Sequence, residues 1–356
     1  MLKFAFLFLL LIHGGIHLLG FFKAQGLARI SEISLEIPRS IGWLWLIASL
    51  LFFLTALVYL LKWPMWWTVA IAAVILSQVL IIFSWQDAKF GTVLNLIFAL
   101  IIAVGIGQWN FHKRAQSEVN AFLAEEANSK VQSQKNALPE LVEKWIETCS
   151  SKKNSGVAKF DQRGKMKTSV DGSWKEFTAK QWSSLVSPEF FWTVDVGSNS
   201  FMQFNGLDKL IENRGSMKIH AYGLLPVVNS SGEKTDEASA IRYLAETVWY
   251  PESVKCLPLE WDVLSDDKVE AALTNEEFSV SGVFTFNKQN LPIAFEAMRF
   301  NDQTGQPEKW HVEIDPESYF EVDGAMIPAR AQISWQLDKG KFTWYQVEVL
   351  NRITLQ

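Results

Sequence analysis

The chain has 356 residues, of which 49% are hydrophobic and 20% are charged, and its formal net charge is −5. The charge is distributed unevenly along the chain. Residues 1–114 carry eight Lys and Arg and three Asp and Glu, whereas the remainder carries 25 Lys and Arg and 35 Asp and Glu. Since such an acidic region repels phosphate, we exclude nucleic acid as a partner. The remainder, roughly 240 residues, is long enough for one sizeable domain.

Four apolar stretches occupy the first third of the chain, at residues 2–22, 41–61, 68–85 and 93–111. Each is close to the ~20 residues that cross a bilayer as a helix. Tryptophans lie at or near the ends of the stretches, where an indole can sit among lipid headgroups. The first stretch resembles a signal peptide, but no clean small-x-small cleavage site follows it and three more stretches do. We therefore predict a multi-pass protein of the cell (inner) membrane, with the lipid bilayer as its first partner.

The orientation of these spans cannot be read from the basic residues of the short loops. One side would carry Lys3, Lys62, Lys113 and Arg114, and the other Lys23, Arg29, Arg39 and Lys89. Because four basic residues lie on each side, the positive-inside rule does not choose between them. With an even number of spans, the N-terminus and the soluble part share a side, which we expect to be extracytoplasmic.

The composition divides the chain into three parts. Residues 1–114 form the four-helix transmembrane region, residues 115–137 a polar linker and residues 138–356 a soluble α+β domain. The linker is rich in Ala, Glu, Gln, Lys and Ser and lacks Gly and Pro. This composition predicts either a helical extension of the fourth span or a polar tether.

Two amphipathic helices are predicted in the soluble part. Residues 138–149 place Leu141, Val142, Trp145 and Ile146 at helical spacing. A second helix has one apolar stripe, which consists of Ile241, Leu244, Ala245, Val248 and Trp249. We expect Thr235 or Asp236 to cap this helix and Pro251 to end it.

Elsewhere in the soluble part, apolar residues recur at every second position, as in a strand with one buried face. The clearest case is Ala331, Ile333, Trp335 and Leu337, and the pattern recurs from Phe278 to Phe286 with Gly282 in the gap. Further strands are predicted at 157–167, 190–196, 217–228, 259–264, 269–274, 293–300, 310–314 and 342–350. Short turns between them favour an antiparallel meander. The predicted fold class is therefore α+β, with four transmembrane helices followed by a curved, mainly antiparallel β-sheet wrapped around helices.

Several segments of the soluble part resemble an uncharacterised family of bacterial membrane proteins with a domain of unknown function. They are 214–217 (RGSM), 224–227 (LLPV), 242–246 (RYLAE) followed by 249–251 (WYP), and 327–328 (IP) with Trp335. The membrane half, with 13–17 (HGGIH) and 84–91 (SWQDAKFG), also resembles leaders of some members. The family has no established activity, so the resemblance implies no catalytic residues.

At the level of fold alone, the order of strands and helices is similar to that of the periplasmic lipoprotein carriers. In those proteins a curved sheet closes over helices and leaves an apolar cavity. The similarity implies a cavity of this kind in the soluble domain, although a fold does not determine a function.

Two interpretations remain open for the RYLAE helix. Arg242 and Glu246 are four residues apart, which is typical of a surface ion pair. Alternatively, Arg242, Tyr243 and Glu246 line the mouth of a cavity and orient a polar headgroup. Trp249 and Trp335 belong to a large aromatic set in the soluble part, and we expect some of that set to line an apolar pocket. The predicted ligand-binding residues are thus Arg242, Tyr243, Glu246, Trp249 and Trp335.

A histidine pair is the main feature of the first span. His13 and His17 lie on one helix face, where two imidazoles can bind a metal or haem or relay a proton. The alternative is that they hydrogen-bond to neighbouring helices, since polar groups in lipid need partners whether or not they are functional. As a metal site they would need a third ligand.

Two functional hypotheses follow. The first is a non-catalytic binding protein, without a cofactor, that holds a lipid or a lipidated partner in its soluble sheet. The second is a membrane redox or metal-dependent enzyme that uses His13 and His17. A nucleophile elbow, a phosphate loop, an HExxH motif and a dinucleotide fingerprint are all absent from the sequence, which favours the first. Cys149 and Cys256 form no CxxC motif, and both a disulfide and two free thiols remain open.

Overall fold

The computed structural model describes residues 2–30, 33–127, 137–153, 155–198 and 200–356. Its α-helices are α1 (Leu2–Gln25), α2 (Arg39–Leu60), α3 (Trp66–Phe83), α4 (Trp85–Ala88), α5 (Gly91–Glu126), α6 (Glu140–Cys149) and α7 (Glu233–Glu246). Short 3₁₀ helices cover Thr247–Trp249, Pro251–Lys255 and Pro316–Ser318.

The strands all lie after α6. They are β1 (Val157–Met166), β2 (Lys175–Ser184), β3 (Phe190–Val196), β4 (Phe204–Ile211), β5 (Arg214–Ala221), β6 (Leu225–Ser231), β7 (Leu259–Ser265), β8 (Lys268–Thr274), β9 (Ser279–Phe286), β10 (Pro292–Asn301), β11 (Gln306–Ile314), β12 (Tyr319–Val322), β13 (Ala325–Pro328), β14 (Arg330–Leu337) and β15 (Gly340–Leu355).

Among the described residues, four helices are long and apolar enough to cross a membrane: α1, α2, α3 and α5. They correspond to the four predicted spans. Phe6, Leu10, Phe52 and Phe98 are buried between them and form an apolar core. Because hydrocarbon lipid offers no hydrophobic drive for helix association, such close packing supplies much of the attraction between spans.

Contacts between residues divide the chain into two compact units, one made mainly of residues up to Lys113 and the other mainly of residues from Arg114 onward. Helix α5 has 36 residues and contributes to both units. The first part of the predicted linker, up to Glu126, thus belongs to this helix. Residues 128–136 of the linker lie outside the described residues, and the predicted domain limits stay predictions.

Within the described residues, the second unit contains a thirteen-stranded sheet in the order β6-β5-β4-β3-β2-β1-β15-β14-β11-β10-β9-β8-β7. Every neighbouring pair is antiparallel, and β12 with β13 forms a separate hairpin. The predicted meander describes each half of the sheet, except that the separate β12–β13 hairpin comes between β11 and β14 along the chain. The two halves are joined in the middle, where β1 pairs with β15, an ordering that turn residues alone do not reveal.

Helix α7 lies on one face of this sheet and contacts strands from both ends of it, β4 to β6 on one side and β8 to β10 on the other. A sheet can reach one helix from both ends only if it curves around that helix. On the same face, Trp145 of α6 packs against Phe284 and Phe286. Gly282 fits this packing, because a side-chain carbon at its position would overlap the ring of Phe295.

The start of α7 and one strand prediction require correction. The helix is capped by Gly232, whose φ of 99° suits glycine, and not by Thr235 or Asp236. The Asp236 carboxylate instead accepts hydrogen bonds from the Gly215 amide (2.6 Å) and from Arg214 (3.1 Å), which fastens α7 to β5. The single strand predicted at 217–228 is in fact two strands, β5 and β6.

Candidate functional site

A cavity of about 620 Å³ lies in the second unit, between α7 and the sheet face on which the helix packs. Nine aromatic side chains of the described residues line it, and they are Trp192, Phe204, Trp249, Phe300, Trp310, Trp335, Phe342, Trp344 and Tyr345. Valine, isoleucine, leucine and alanine side chains from the same strands and from α7 complete the lining. Ligand sites for drug-sized molecules have volumes of about 300–1,000 Å³ and a mainly apolar lining, so both properties suit a small apolar ligand.

The rim of the cavity consists of strand ends, turns and the start of α7. Its polar lining residues are Lys167, Thr168, Ser173, Lys175, Ser230, Lys234, Asp302 and Gln303. The Gln303 side chain donates a hydrogen bond to the Thr168 carbonyl oxygen (2.9 Å), which joins two of the turns. These polar groups mark the opening, while Trp192, Trp249, Trp310, Trp335 and Tyr345 are buried.

Arg242 of α7 lies at the inner wall of the cavity, in a compensated charge cluster. Its guanidinium donates to Asp208 on β4 (2.6 Å) and to Glu246 one turn along the helix (2.8 Å). The same group lies over the rings of Phe190 and Trp192, at 4.9 and 4.8 Å from their centres. The side chains of Arg242, Asp208 and Glu246 are 13%, 3% and 12% exposed. The ion pair is therefore buried, and the surface-pair interpretation is not what the structure shows.

Burial and charge act in opposite directions on this cluster. Burial alone would lower the pKa of Arg242, but the carboxylates of Glu246 and Asp208 outweigh it and raise that pKa above its ordinary value. Burial raises the pKa of Glu246, and Arg242 offsets only part of that effect. Arg242 is thus a permanent cation, and its hydrogen bonds hold the carboxylates of Asp208 and Glu246 in place.

Arg299 of β10 is a second arginine in the cavity, and its surroundings differ. Its guanidinium lies over the rings of Trp310 and Trp335, 5.1 and 5.9 Å from the ring centres. Its Nε donates to the carbonyl oxygen of Ala238 on α7 (3.0 Å). Burial lowers the pKa of Arg299 to about 10, so the group is still a cation at neutral pH.

The structure brings four of the five predicted ligand-binding residues to this cavity. Arg242, Glu246, Trp249 and Trp335 are among its lining residues. Trp249 also donates from its indole to the Pro328 carbonyl oxygen (3.1 Å). Tyr243 is fully buried elsewhere in the core, where its hydroxyl donates to the Ser184 carbonyl oxygen (2.8 Å).

The histidine pair of α1 is buried inside the first unit. The His17 Nδ1–H donates to the His13 carbonyl oxygen (2.9 Å), and His13 Nε2 lies 3.1 Å from the Ser77 hydroxyl. Phe52 packs against both rings, at 4.8 and 5.5 Å between ring centres. No third His, Cys, Asp or Glu of the described chain joins them in a metal-binding group. The metal role of the pair stays a prediction.

Three functional residues were missed from the sequence: Asp208, Arg299 and Gln181. Gln181 donates to Glu246 (2.6 Å), so it completes the charge cluster. Of these three residues, only Arg299 could have been identified from a sequence pattern. Phe295 and Ala297 alternate toward the buried face of β10, and the next position in this period is a cation. Cys149 and Cys256 are both buried and are not joined by a disulfide.

The charge cluster makes a prediction for Arg242→Met. The change leaves two buried carboxylates without their cation, and we expect a loss of about 3–5 kcal/mol in the free energy of unfolding at neutral pH. The difference in the free energy of unfolding between the variant and the parent should narrow as pH falls. Burial raises the pKa of Glu246, and protonation of Glu246 removes a buried charge. Urea unfolding of the detergent-purified protein, followed by tryptophan fluorescence, measures both effects.

The matched control is Arg163→Met, which removes an arginine paired with Glu348 at 2.6 Å on an exposed surface. We expect it to leave the free energy of unfolding close to that of the parent. Equal losses in the two variants would contradict a special role for the buried cluster.

Comparisons with known proteins give one sequence match and weak structural ones. No curated protein matches the chain. Among solved structures, a putative outer membrane lipoprotein-sorting protein domain from Vibrio parahaemolyticus is 11% identical, covers 58% of this chain and 88% of its own, and has a TM-score of 0.36. A DUF1329 family protein from Desulfovibrio piger is 8% identical, covers 60% and 90%, and has the same TM-score. The model of the family of unknown function DUF6544 matches residues 129–347, more than half of the chain, and the chain therefore belongs to that family.

Proposed function

We propose that this protein is a membrane-anchored, non-catalytic binding protein whose soluble unit holds a lipid, or the lipid chain of a lipidated partner. The observation that carries the proposal is the cavity of about 620 Å³ beneath α7, with its wall of tryptophans and aliphatic side chains. Burying apolar ligand surface there is favourable by roughly 25 cal/mol per Å². Four helices long enough to cross a membrane would keep the cavity close to a source of lipid.

The polar groups of the inner wall support binding over catalysis. Arg242, Asp208, Glu246 and Gln181 hydrogen-bond to one another, and general acid–base catalysis instead needs a group that faces the substrate with a pKa near the working pH. Their arrangement fixes α7 against the sheet and so keeps the cavity open. We expect the protein to work without a cofactor.

Ala238→Trp tests the cavity as the ligand site. Ala238 lines the cavity from α7, so an indole at this position occupies the ligand's volume. We expect lipid that co-purifies with the detergent-solubilised variant to fall about tenfold or more relative to the parent, which corresponds to a loss of about 1.4 kcal/mol or more in binding free energy. Organic extraction followed by mass spectrometry measures the lipid carried per mole of protein.

Glu237→Trp is the control, because Glu237 is the preceding residue of the same helix and is exposed outside the cavity. It adds the same indole to α7 without filling the site, and its lipid content should match that of the parent. Lipid content that is unchanged in Ala238→Trp would sink the proposal.

We place the soluble unit on the extracytoplasmic face of the cell (inner) membrane in this proposal. Loop charges leave the side open, since the two sides carry equal numbers of basic residues. Fusions of alkaline phosphatase and of a green fluorescent protein after Arg114 test the side directly. We expect an active phosphatase and a dark fluorescent fusion, and the reverse pattern would put the cavity in the cytoplasm.

A second candidate function is a membrane redox or metal-dependent enzyme. It is favoured by the ring nitrogens His13 Nδ1 and His17 Nε2, which are buried and have no hydrogen-bond partner in the described part of the chain. Either nitrogen could act as a ligand to a metal ion or a haem iron.

Elemental and haem analysis of the detergent-purified protein tests this candidate. If it is correct, the parent carries a stoichiometric metal or haem, and replacement of both His13 and His17 by Ala removes it. Ser77→Ala removes the hydroxyl next to His13 but leaves both rings, so it should retain most of the bound group. A parent protein free of both metal and haem would end this candidate.

A further inference from the structure

We propose that the ligand of the cavity is an anionic lipid, with its carboxylate or phosphate bound by Arg299 and by the lysines of the rim and its hydrocarbon chain against the tryptophans. This inference rests on the proposed lipid-binding function and adds the chemical class of the ligand. It rests on the placement of charge around the cavity, which differs from the charge of the domain as a whole.

The cavity is positively charged within an acidic half of the chain. Five cationic side chains line it: Lys167, Lys175, Lys234, Arg242 and Arg299. Three carboxylates oppose them: Asp208, Glu246 and Asp302. The excess of two positive charges contrasts with the 25 Lys and Arg against 35 Asp and Glu after residue 114. An apolar site with a positive opening attracts an amphiphile with a negative headgroup.

The two arginines of the cavity have different tasks. Both nearby carboxylates, Asp208 and Glu246, hydrogen-bond to Arg242. For Arg299, no carboxylate of the described residues lies within salt-bridge distance, and its hydrogen bond to the Ala238 carbonyl oxygen uses Nε alone. The two terminal nitrogens of its guanidinium form a planar fork that matches a carboxylate or phosphate in a bidentate manner. Of the two arginines, Arg299 is therefore the one whose terminal nitrogens remain available to a ligand.

The energetics favour an anion beside Arg299. Its guanidinium lies over two indole rings and its side chain is only partly exposed to water, and a partly buried cation without an ion-pair partner is costly. An anionic headgroup would offset this cost. A neutral lipid would leave the cost in place, so the site discriminates between ligands that differ only in charge.

The lysines of the rim extend the positive field to the opening. The ammonium groups of Lys234, Lys175 and Lys167 lie over the rings of Phe300, Phe204 and Phe342, at 4.2, 4.8 and 5.3 Å from the ring centres. These three rings are themselves part of the lining. Asp302 is the carboxylate of the same rim, so the opening keeps an excess of positive charge. A chain that enters tail-first leaves its headgroup at the level of these cations and Arg299.

The experiment compares three probes on the detergent-purified full chain in a non-ionic detergent, after removal of co-purified lipid. Oleate carries both a chain and a carboxylate, oleyl alcohol carries the chain alone, and acetate carries the carboxylate alone. We expect oleate to bind at least about tenfold more tightly than oleyl alcohol, which corresponds to about 1.4 kcal/mol. Acetate should not displace oleate at concentrations where oleyl alcohol does.

Arg299→Gln should reduce the preference for oleate over oleyl alcohol by about tenfold and leave the affinity for oleyl alcohol unchanged. Arg299→Lys keeps the charge and should retain most of the preference. Arg163→Gln removes an exposed arginine that does not line the cavity and should bind as the parent does.

If Arg299→Gln does not fold, Lys234→Gln and the salt dependence of oleate binding by the parent supply the test. Salt should weaken the binding of oleate but not that of oleyl alcohol.

The outcomes separate this inference from the proposed function. Equal affinities for oleate and oleyl alcohol would overturn the anionic-headgroup inference and leave lipid binding intact. If neither oleate nor oleyl alcohol bound, both the anionic-headgroup inference and the proposed lipid-binding function would be overturned. Displacement of oleate by acetate at similar concentration would show a site for small anions and would also overturn the inference. An unchanged preference in Arg299→Gln would assign the headgroup to other residues and contradict the role of Arg299.

Discussion

The apolar face of the large sheet has to be covered, and helix α7 is too small to cover it completely. In the described part of the chain the sheet has thirteen strands, which would span about 58 Å if flat at about 4.8 Å per strand. Helix α7 has 14 residues, a length of about 21 Å. Curvature brings both ends of the sheet onto the helix and covers part of the face. The remainder of that face lines the cavity, and both lipid-binding proposals made above depend on it.

The same sheet face explains why two arginines in one cavity differ. Arg242 comes from the helix and meets carboxylates from β4 and from its own helix, so its charge is used to fix α7 in place. Arg299 comes from β10 and meets two indoles and a backbone carbonyl oxygen. Position in the fold thus separates a structural arginine from one that can meet a ligand, although the residue type is the same.

Much of the architecture could be predicted from the pattern of apolar residues. The four long helices, α6, α7 and most strands follow from periods that burial imposes on a sequence. Strands β2 and β4 were not predicted, because their inward positions include Gln181 and Asp208, which interrupt the apolar alternation. These residues face inward to meet Arg242 and Glu246, a long-range pairing that no local pattern records. Polar residues are rare at inward-facing strand positions of a core, so the presence of Gln181 and Asp208 at such positions is itself a sign of the site.

The candidate site was partly predictable for the same reason. Trp335 and Trp249 were singled out through strand and helix periodicity, and they do line the cavity. Tyr243 lies on α7 between two cavity residues but points into the core, since adjacent helical positions face different directions. Arg299 was readable as a charge in an apolar period, but its significance depends on Trp310 and Trp335, which only the pairing of β10, β11 and β14 brings beside it.

Native mass spectrometry of the intact protein, released from detergent, tests the central claim most directly. A cavity of about 620 Å³ that binds a lipid should give a chain whose mass is increased by one lipid, in a single-site stoichiometry. That added mass should be lost from Ala238→Trp and kept in Glu237→Trp. A parent protein that appears only at the mass of the bare chain, even after incubation with excess lipid, would contradict the account.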